Sequence, residues 1–225
     1  MGFKHFYSPS TCCYCNTEIA KPGLCRRCQS GLTQLSNERR CRRCFSLKKS
    51  NSECFFCNSR IVFFDSCESL YRLDKVGQSV LNKLKFQNER FISNLFIDEV
   101  VEKVTSFGKF QQIGWISSGK LAYRSRPYQP VADVAKSVGE KLKIPVSADL
   151  TKVKNRKQSG ADYQSRFFDL PQSLRLTESP KQISYYVLLD DVVTTGATVN
   201  ESARLLKRAG VKEVHVISLF QRERE

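Results

Sequence analysis

The sequence predicts an α/β fold, a parallel sheet flanked by helices, with a small cysteine-rich module in front of it. Three observations carry this. Of the 10 cysteines, eight fall into four Cys-x-x-Cys pairs before residue 58. After residue 60 the pairs stop, and apolar segments alternate between strand-like and helix-like spacing. One of these strands runs into two adjacent acids and then small residues that open a helix. A chain of 225 residues has room for one ordinary domain plus a small module. The expected division is a cysteine-rich module over 1–60 and an α/β domain over 61–225.

The pairs are Cys12/Cys15, Cys25/Cys28, Cys41/Cys44 and Cys54/Cys57. The unit CxxC-x9-CxxC therefore occurs twice. A CxxC knuckle brings two sulfurs to one ion, and two knuckles complete a tetrahedral four-thiolate zinc site. The equal inner spacing argues for two zinc ribbons filled in sequence. A crossed arrangement, with the first and third knuckles sharing a metal, is left open, as is whether one or two zinc ions are held. The alternatives are a disulfide framework, which needs an oxidising compartment, a redox CxxC, and iron–sulfur ligation. Cys13 is a possible competitor of Cys12, and Cys67 is expected to be a small buried apolar residue.

The chain carries a formal charge of +15. The first 60 residues hold 11 Lys and Arg against 3 Asp and Glu, a far denser positive charge than the remainder. Basic pairs (Arg26-Arg27, Arg39-Arg40, Arg42-Arg43, Lys48-Lys49) lie among Tyr14, Phe45, Phe55 and Phe56. Cations that follow phosphates and rings that stack on bases suit single-stranded nucleic acid. The same cations equally offset the charge of about −2 on a four-thiolate zinc centre. No stretch reaches ~18 consecutive apolar residues, which excludes a membrane span. Met1-Gly2-Phe3-Lys4-His5 leads into polar residues and cysteines, so no signal peptide is expected and the expected location is cytoplasmic.

Beyond the module, Ile61–Phe64 reads as a strand. Lys75–Phe86 reads as a helix with Val76, Val80 and Leu84 on one face, and Asn88–Phe107 as a second helix. Ile113–Ile116 is a short strand, Gln129–Leu142 a helix stopped by Pro145, and Val146 the start of another short strand. Residues 151–166 are polar, cationic and aperiodic, a long loop of the kind that is usually functional or disordered. Tyr185–Leu189 is a strand, Val199–Ala209 a helix closed by Gly210, and Val214–Phe220 a last strand. This alternation points to a parallel sheet.

The chemistry is concentrated in Val187-Leu188-Leu189-Asp190-Asp191-Val192-Val193-Thr194-Thr195-Gly196-Ala197-Thr198. Small residues let backbone N–H groups close around a phosphate, and the helix N-terminus adds partial positive charge. The hydroxyls of Thr194, Thr195 and Thr198 can donate further bonds. Carboxylates repel phosphate but suit neighbouring hydroxyls. The segment therefore asks for a sugar with a phosphate at one end and a diol nearby. An ordinary strand–turn–helix with a capping Thr or Asp is the plain structural alternative.

This segment resembles the signature of type I phosphoribosyltransferases, which bind phosphoribosyl pyrophosphate (PRPP) with Mg²⁺. The resemblance gives Asp190 and Asp191 the ribose hydroxyls and the place at the catalytic centre. It gives Thr194, Thr195, Gly196, Ala197 and Thr198 the 5′-phosphate. Four CxxC knuckles, the Tyr71…Leu84-Lys85-Phe86 segment and this signature together resemble the ComF family. That family joins a zinc-binding region to a phosphoribosyltransferase domain and is linked to natural transformation. Two places depart from its pattern. Ile116-Ser117-Ser118-Gly119 stands where a Pro-x-Pro strand end is usual. Arg126-Pro127-Tyr128-Gln129-Pro130 stands for Arg-Gly-Phe-Asn-Gln. Ser117, Ser118, Gly119 and Lys120 still suit a pyrophosphate loop, with Lys120, Arg126, Lys154, Arg156 and Lys157 as candidate neutralisers. Neither His5 nor His215 is expected to act as a general base.

Two functions are thus expected. One is a PRPP- and Mg²⁺-binding phosphoribosyltransferase-domain protein of natural competence that handles incoming single-stranded DNA. The other is an inactive protein of the same fold that binds single-stranded DNA, a nucleotide or a competence-machinery protein.

Overall fold

The computed structural model describes residues 10–48, 53–86, 90–117, 129–153, 174–178, 180 and 182–223. Each cysteine unit opens on a tight turn. Asn16 N donates to Cys12 O and Phe45 N to Cys41 O, with φ of 60° and 61° at Asn16 and Phe45. Left-handed backbone is costly for an aromatic residue. At Phe45 it is held by burial of the ring and by Arg40, whose guanidinium lies 4.9 Å from the ring centroid. The second knuckles open short helices, α1 (Arg26–Ser30) and α2 (Phe55–Asn58), so the sequence repeat is a structural repeat. The first unit adds a two-stranded ribbon of β1 (Ser10–Thr11) and β2 (Glu18–Ile19).

The remainder builds β3 (Ser66–Arg72), α3 (Lys75–Phe86), a 3-10 turn (Arg90–Ser93), α4 (Asn94–Phe107), β4 (Gln112–Ser117), α5 (Pro130–Leu142), β5 (Val146–Lys152), β6 (Leu174–Leu176), β7 (Tyr185–Val193), α6 (Ala197–Arg208) and β8 (Glu213–Gln221). The strands lie in the order β3-β8-β7-β4-β5-β6. All neighbours are parallel except the edge pair β5–β6. The predicted α/β sheet flanked by helices is therefore correct, with one antiparallel edge added.

Alternation along β7 divides the core. Val187 and Leu189 face an apolar layer formed with Val80, Leu84, Phe96, Val100 and Val134 from α3, α4 and α5. Tyr186 and Leu188 face Val199, Ala203 and Leu206 of α6, and on this side Cys44 and Cys54 join the same apolar cluster. The second cysteine unit thus completes a covering layer of the sheet. The linker between the units caps the outer edge of β3: Leu35 N donates to Leu70 O and Arg72 N to Thr33 O, each at 2.8 Å. An edge strand covered in this way is closed to further pairing. Glu223 is held by Arg40 of the second unit and Arg72 of β3.

Three expectations need correction. Ile61–Phe64 forms no strand. The carbonyls of Val62 and Phe64 accept from Arg43, while Asn200 takes Phe63 N and gives to Ile61 O. The strand falls instead on Ser66–Arg72. The sheet does not release β7 before the acids: Asp190 still pairs with Ser218, and Val193 with Gln221. Finally, β5 runs through Thr151 and Lys152, residues assigned by sequence to the following loop.

Candidate functional site

The connections β4–α5–β5 and β7–α6–β8 leave the sheet centre in opposite directions, so β4 and β7 flank a topological switch point. Open α/β sheets bind ligands outside the carboxyl ends of the strands at such a point. A crevice of about 120 Å³ lies there, with Ile116 of β4, Lys152 of β5 and Asp190 and Asp191 of β7 in its wall. Lys85, from the last turn of α3, and Gln129, before α5, close the sides.

Asp191 Oδ2 accepts an ion pair from Lys85 Nζ at 2.7 Å. Asp190 receives the backbone N–H of Asp191 on Oδ1 at 2.9 Å. Burial, and next the Asp191 charge, push the Asp190 carboxyl up to about 7, although Lys152, that N–H and Lys85 pull the other way. A carboxyl pair with one member poised near neutrality can both accept from and donate to sugar hydroxyls.

Immediately beyond β7, Gly196 adopts φ 73° as the residue before α6. That left-handed conformation suits glycine. Thr195 Oγ1 accepts from Ala197 N at 3.2 Å and tightens the turn. Within the first turn of the 12-residue α6 there is no acidic side chain, which leaves its N-terminus free of a competing anion. Thr194, Thr195, Gly196, Ala197 and Thr198 are thus gathered at one helix start, with only Val192 and Val193 between them and the acids. Ser117 ends β4, and its Oγ donates to Leu150 O at 3.0 Å. The other residues read as a pyrophosphate loop, Ser118, Gly119 and Lys120, lie outside the described residues, as do Arg126, Lys154, Arg156 and Lys157.

The eight knuckle cysteines form two groups, Cys12/Cys15/Cys25/Cys28 and Cys41/Cys44/Cys54/Cys57. Within each group the sulfurs all lie within 4.8 Å of one another. The pairing is sequential, as the equal spacing predicts. A tetrahedron with Zn–S bonds of ~2.3 Å separates its sulfurs by about 3.8 Å. Here Cys15 and Cys25 are 3.8 Å apart, Cys41 and Cys57 3.7 Å, and Cys44 and Cys54 3.4 Å. Burial raises the Cys28 and Cys57 thiols, and the crowding sulfurs add to it. Four thiolates in such a space need a cation between them, and zinc fits both groups. Cys13 stands apart, buried beside Leu32 in the core, and Cys67 is buried as expected.

Sequence reasoning missed two residues. Lys85 is quoted above only as part of a resemblance, yet it pairs with the catalytic candidate Asp191. Its position in the last turn of the helix after β3 is the one available signal. Arg60 donates from Nη1 to Thr195 O at 2.7 Å, across 135 residues of sequence; no local pattern announces it. Two of the basic residues proved structural: Arg40 binds Glu223, and Arg43 holds Val62 and Phe64.

Residues 129–225 match the model of the phosphoribosyl transferase domain. A doubly wound sheet with paired acids and a phosphate-type turn at its switch point, behind two four-cysteine groups, defines a phosphoribosyltransferase-type protein with a zinc-ribbon module. Across nearly its whole length it is similar to two curated proteins. Competence protein F of Haemophilus influenzae is 27% identical over 221 residues, covering 92% of this chain and 95% of that one. Competence protein ComFC of Streptococcus pneumoniae is 25% identical over 204 residues, covering 88% and 87%. The chain is thus similar to ComF-type competence proteins over nearly its whole length and carries a phosphoribosyl transferase domain match in its C-terminal part. Among solved structures, a purine phosphoribosyltransferase from Pyrococcus horikoshii is 20% identical, with TM-score 0.36, covering 57% of this chain and 71% of that one. Among the described residues no helix is long and apolar enough to cross a membrane.

Proposed function

We propose that the chain binds PRPP with Mg²⁺ in the crevice and serves natural competence in the handling of incoming single-stranded DNA. The observation that carries this is that Asp190 and Asp191 line the crevice at the switch point, with only Val192 and Val193 between them and the Thr194–Thr198 turn. In this reading the turn takes the 5′-phosphate on its N–H groups and hydroxyls. The acids take the ribose diol, and Lys85 limits their mutual repulsion. Asp190 and Asp191 are suitable hard oxygen donors that would hold Mg²⁺, and the ion would supply charge stabilisation for a departing pyrophosphate. Lys152, at the crevice wall, adds positive charge on the same side. Where transfer occurs, the C1–pyrophosphate bond breaks as an acceptor's electron pair forms the new bond at C1. The site's part is orientation and charge stabilisation.

The test is thermal melting with PRPP and Mg²⁺. At about 100 times Kd the stabilisation is ~2.7 kcal/mol, or about 5–10 °C for a chain of this size. The shift should vanish in the double variant Asp190→Asn, Asp191→Asn. A wild-type protein whose melting point ignores PRPP would refute the reading.

The second reading is a non-catalytic protein that works through its module. Tyr14 and Phe55 are exposed, Phe55 at 76%, and Arg26, Arg27 and Arg42 are exposed around the two metal groups. These are rings and cations free to meet a strand. Pyrophosphate release on mixing PRPP with candidate acceptors, DNA included, separates the two readings. Cysteines grouped for metal rather than for disulfides suit a reducing, cytoplasmic setting.

A further inference from the structure

We propose that Arg60 is a positioning residue that couples the second cysteine group to the phosphate turn, so that zinc and PRPP bind cooperatively. The inference rests on the PRPP reading above. Arg60 lies three residues past Cys57, with its guanidinium 5.7 Å from the Phe56 ring centroid. Nη1 donates to Thr195 O at 2.7 Å, and Nη2 stands 3.4 Å from where a Cβ on Gly196 would be. In a planar trans peptide the C=O and the following N–H point in opposite directions. Holding the Thr195 carbonyl toward the module therefore turns the Gly196 N–H away from it, and fixes one donor of the anion-binding turn.

The chain between zinc group and turn is short and pinned. Arg43, inside the Cys41–Cys44 knuckle, donates to Val62 O at 2.6 Å and Phe64 O at 3.2 Å. Asn200 of α6 accepts from Phe63 N at 2.7 Å and donates to Ile61 O at 3.0 Å. Cys44 and Cys54 belong to the same apolar cluster as Val193 and Val199, which bracket the turn. Metal that organises α2 and its knuckle partner thus organises Arg60, and Arg60 sets the peptide that receives phosphate. The first cysteine group has no such connection among the described residues: Cys15 is exposed, and the unit packs on the opposite face of the sheet through Cys13 and Leu32.

Coupling is reciprocal. If metal strengthens PRPP binding, PRPP must retain metal by the same factor. The experiment follows zinc release from the full-length protein to a chromophoric zinc chelator, with and without PRPP and Mg²⁺. PRPP affinity is measured in parallel by calorimetry. In wild type, PRPP should slow the loss of one of the two zinc ions by about fivefold or more. Arg60→Ala should keep both zinc ions, bind PRPP about fivefold more weakly and lose the protection; Arg60→Lys, which still offers one donor, should restore part of both. A wild type that binds PRPP yet releases both ions at unchanged rates overturns the coupling alone, as does Arg60→Ala with undiminished PRPP affinity. A wild type that binds no PRPP overturns the PRPP reading and this inference with it. Should Arg60→Ala fail to fold, the wild-type release rates decide.

Discussion

Asp190 carries a carboxyl raised to about 7 by burial and by the neighbouring Asp191 charge. In the unfolded chain an aspartate titrates near ~3.9. Between these values the folded protein holds a proton the unfolded chain has released, so stability falls as pH rises from about 4 to about 7. Above that range the full cost of a buried anion is present. Asp190→Asn should therefore raise the melting point at pH 8, by the equivalent of about 1–2 kcal/mol once water in the crevice is allowed for. The gain should shrink steadily below pH 7 and be gone near pH 4. Equal gains at pH 5 and pH 8 would show that the acid is not poised in this way. The functional counterpart has the same sign: ribose hydroxyls donate best to the ionised carboxylate, so PRPP should bind wild type more steeply with rising pH than it binds Asp190→Asn.

At the scale of elements, β4 and β7 meet through a glycine. A Cβ on Gly114 would lie 1.7 Å from Tyr186 Oη, and that hydroxyl donates to Asp149 at 2.8 Å on β5. Gly114→Ala must displace a fully buried ring and break its hydrogen bond. The expected loss is about 3 kcal/mol, read as a fall of about 6–12 °C in melting temperature; a fall under 2 °C would mean that the ring has room to move. The strands around this point were legible where their residues are apolar. Val187–Leu189 announced itself, and so did the turn after it. Ser66–Arg72 did not, because its inward positions include Ser69, whose hydroxyl meets that of Ser218 at 2.6 Å inside the sheet, and its Glu68 pairs with Lys103. A polar strand is invisible to hydropathy when its partner is 149 residues away. Ile61–Phe64 misled for the converse reason: it has a strand's burial alternation, but side chains rather than a neighbouring strand take its polar backbone groups. The grouping of the cysteines into two sets of four was legible because CxxC spacing is local geometry, whereas the Lys85 and Arg60 contacts depend on tertiary placement.

For the whole molecule, the distribution of cations matters more than the net charge of +15. Arg40 and Arg43 are engaged internally, whereas Arg26, Arg27 and Arg42 are among the exposed cations of the module. If the module tracks single-stranded DNA, replacing those three by Ala should weaken binding. It should also lower the slope of log K against log salt by about 2, at ~0.7 per phosphate contact. Arg43→Ala should instead loosen the Val62–Phe64 strap. It should show as lost thermal stability at an unchanged salt slope. A triple variant with the slope of wild type would place the DNA contact elsewhere.

The switch point between β4 and β7 has a wider consequence. One side of the crevice is furnished by chain that goes on to α6 and β8, the other by chain that goes on to α5 and β5. If the crevice binds PRPP as proposed, grip on the sugar and choice of what meets it are written in separate stretches of the polypeptide, and either stretch can be revised while the other keeps its shape.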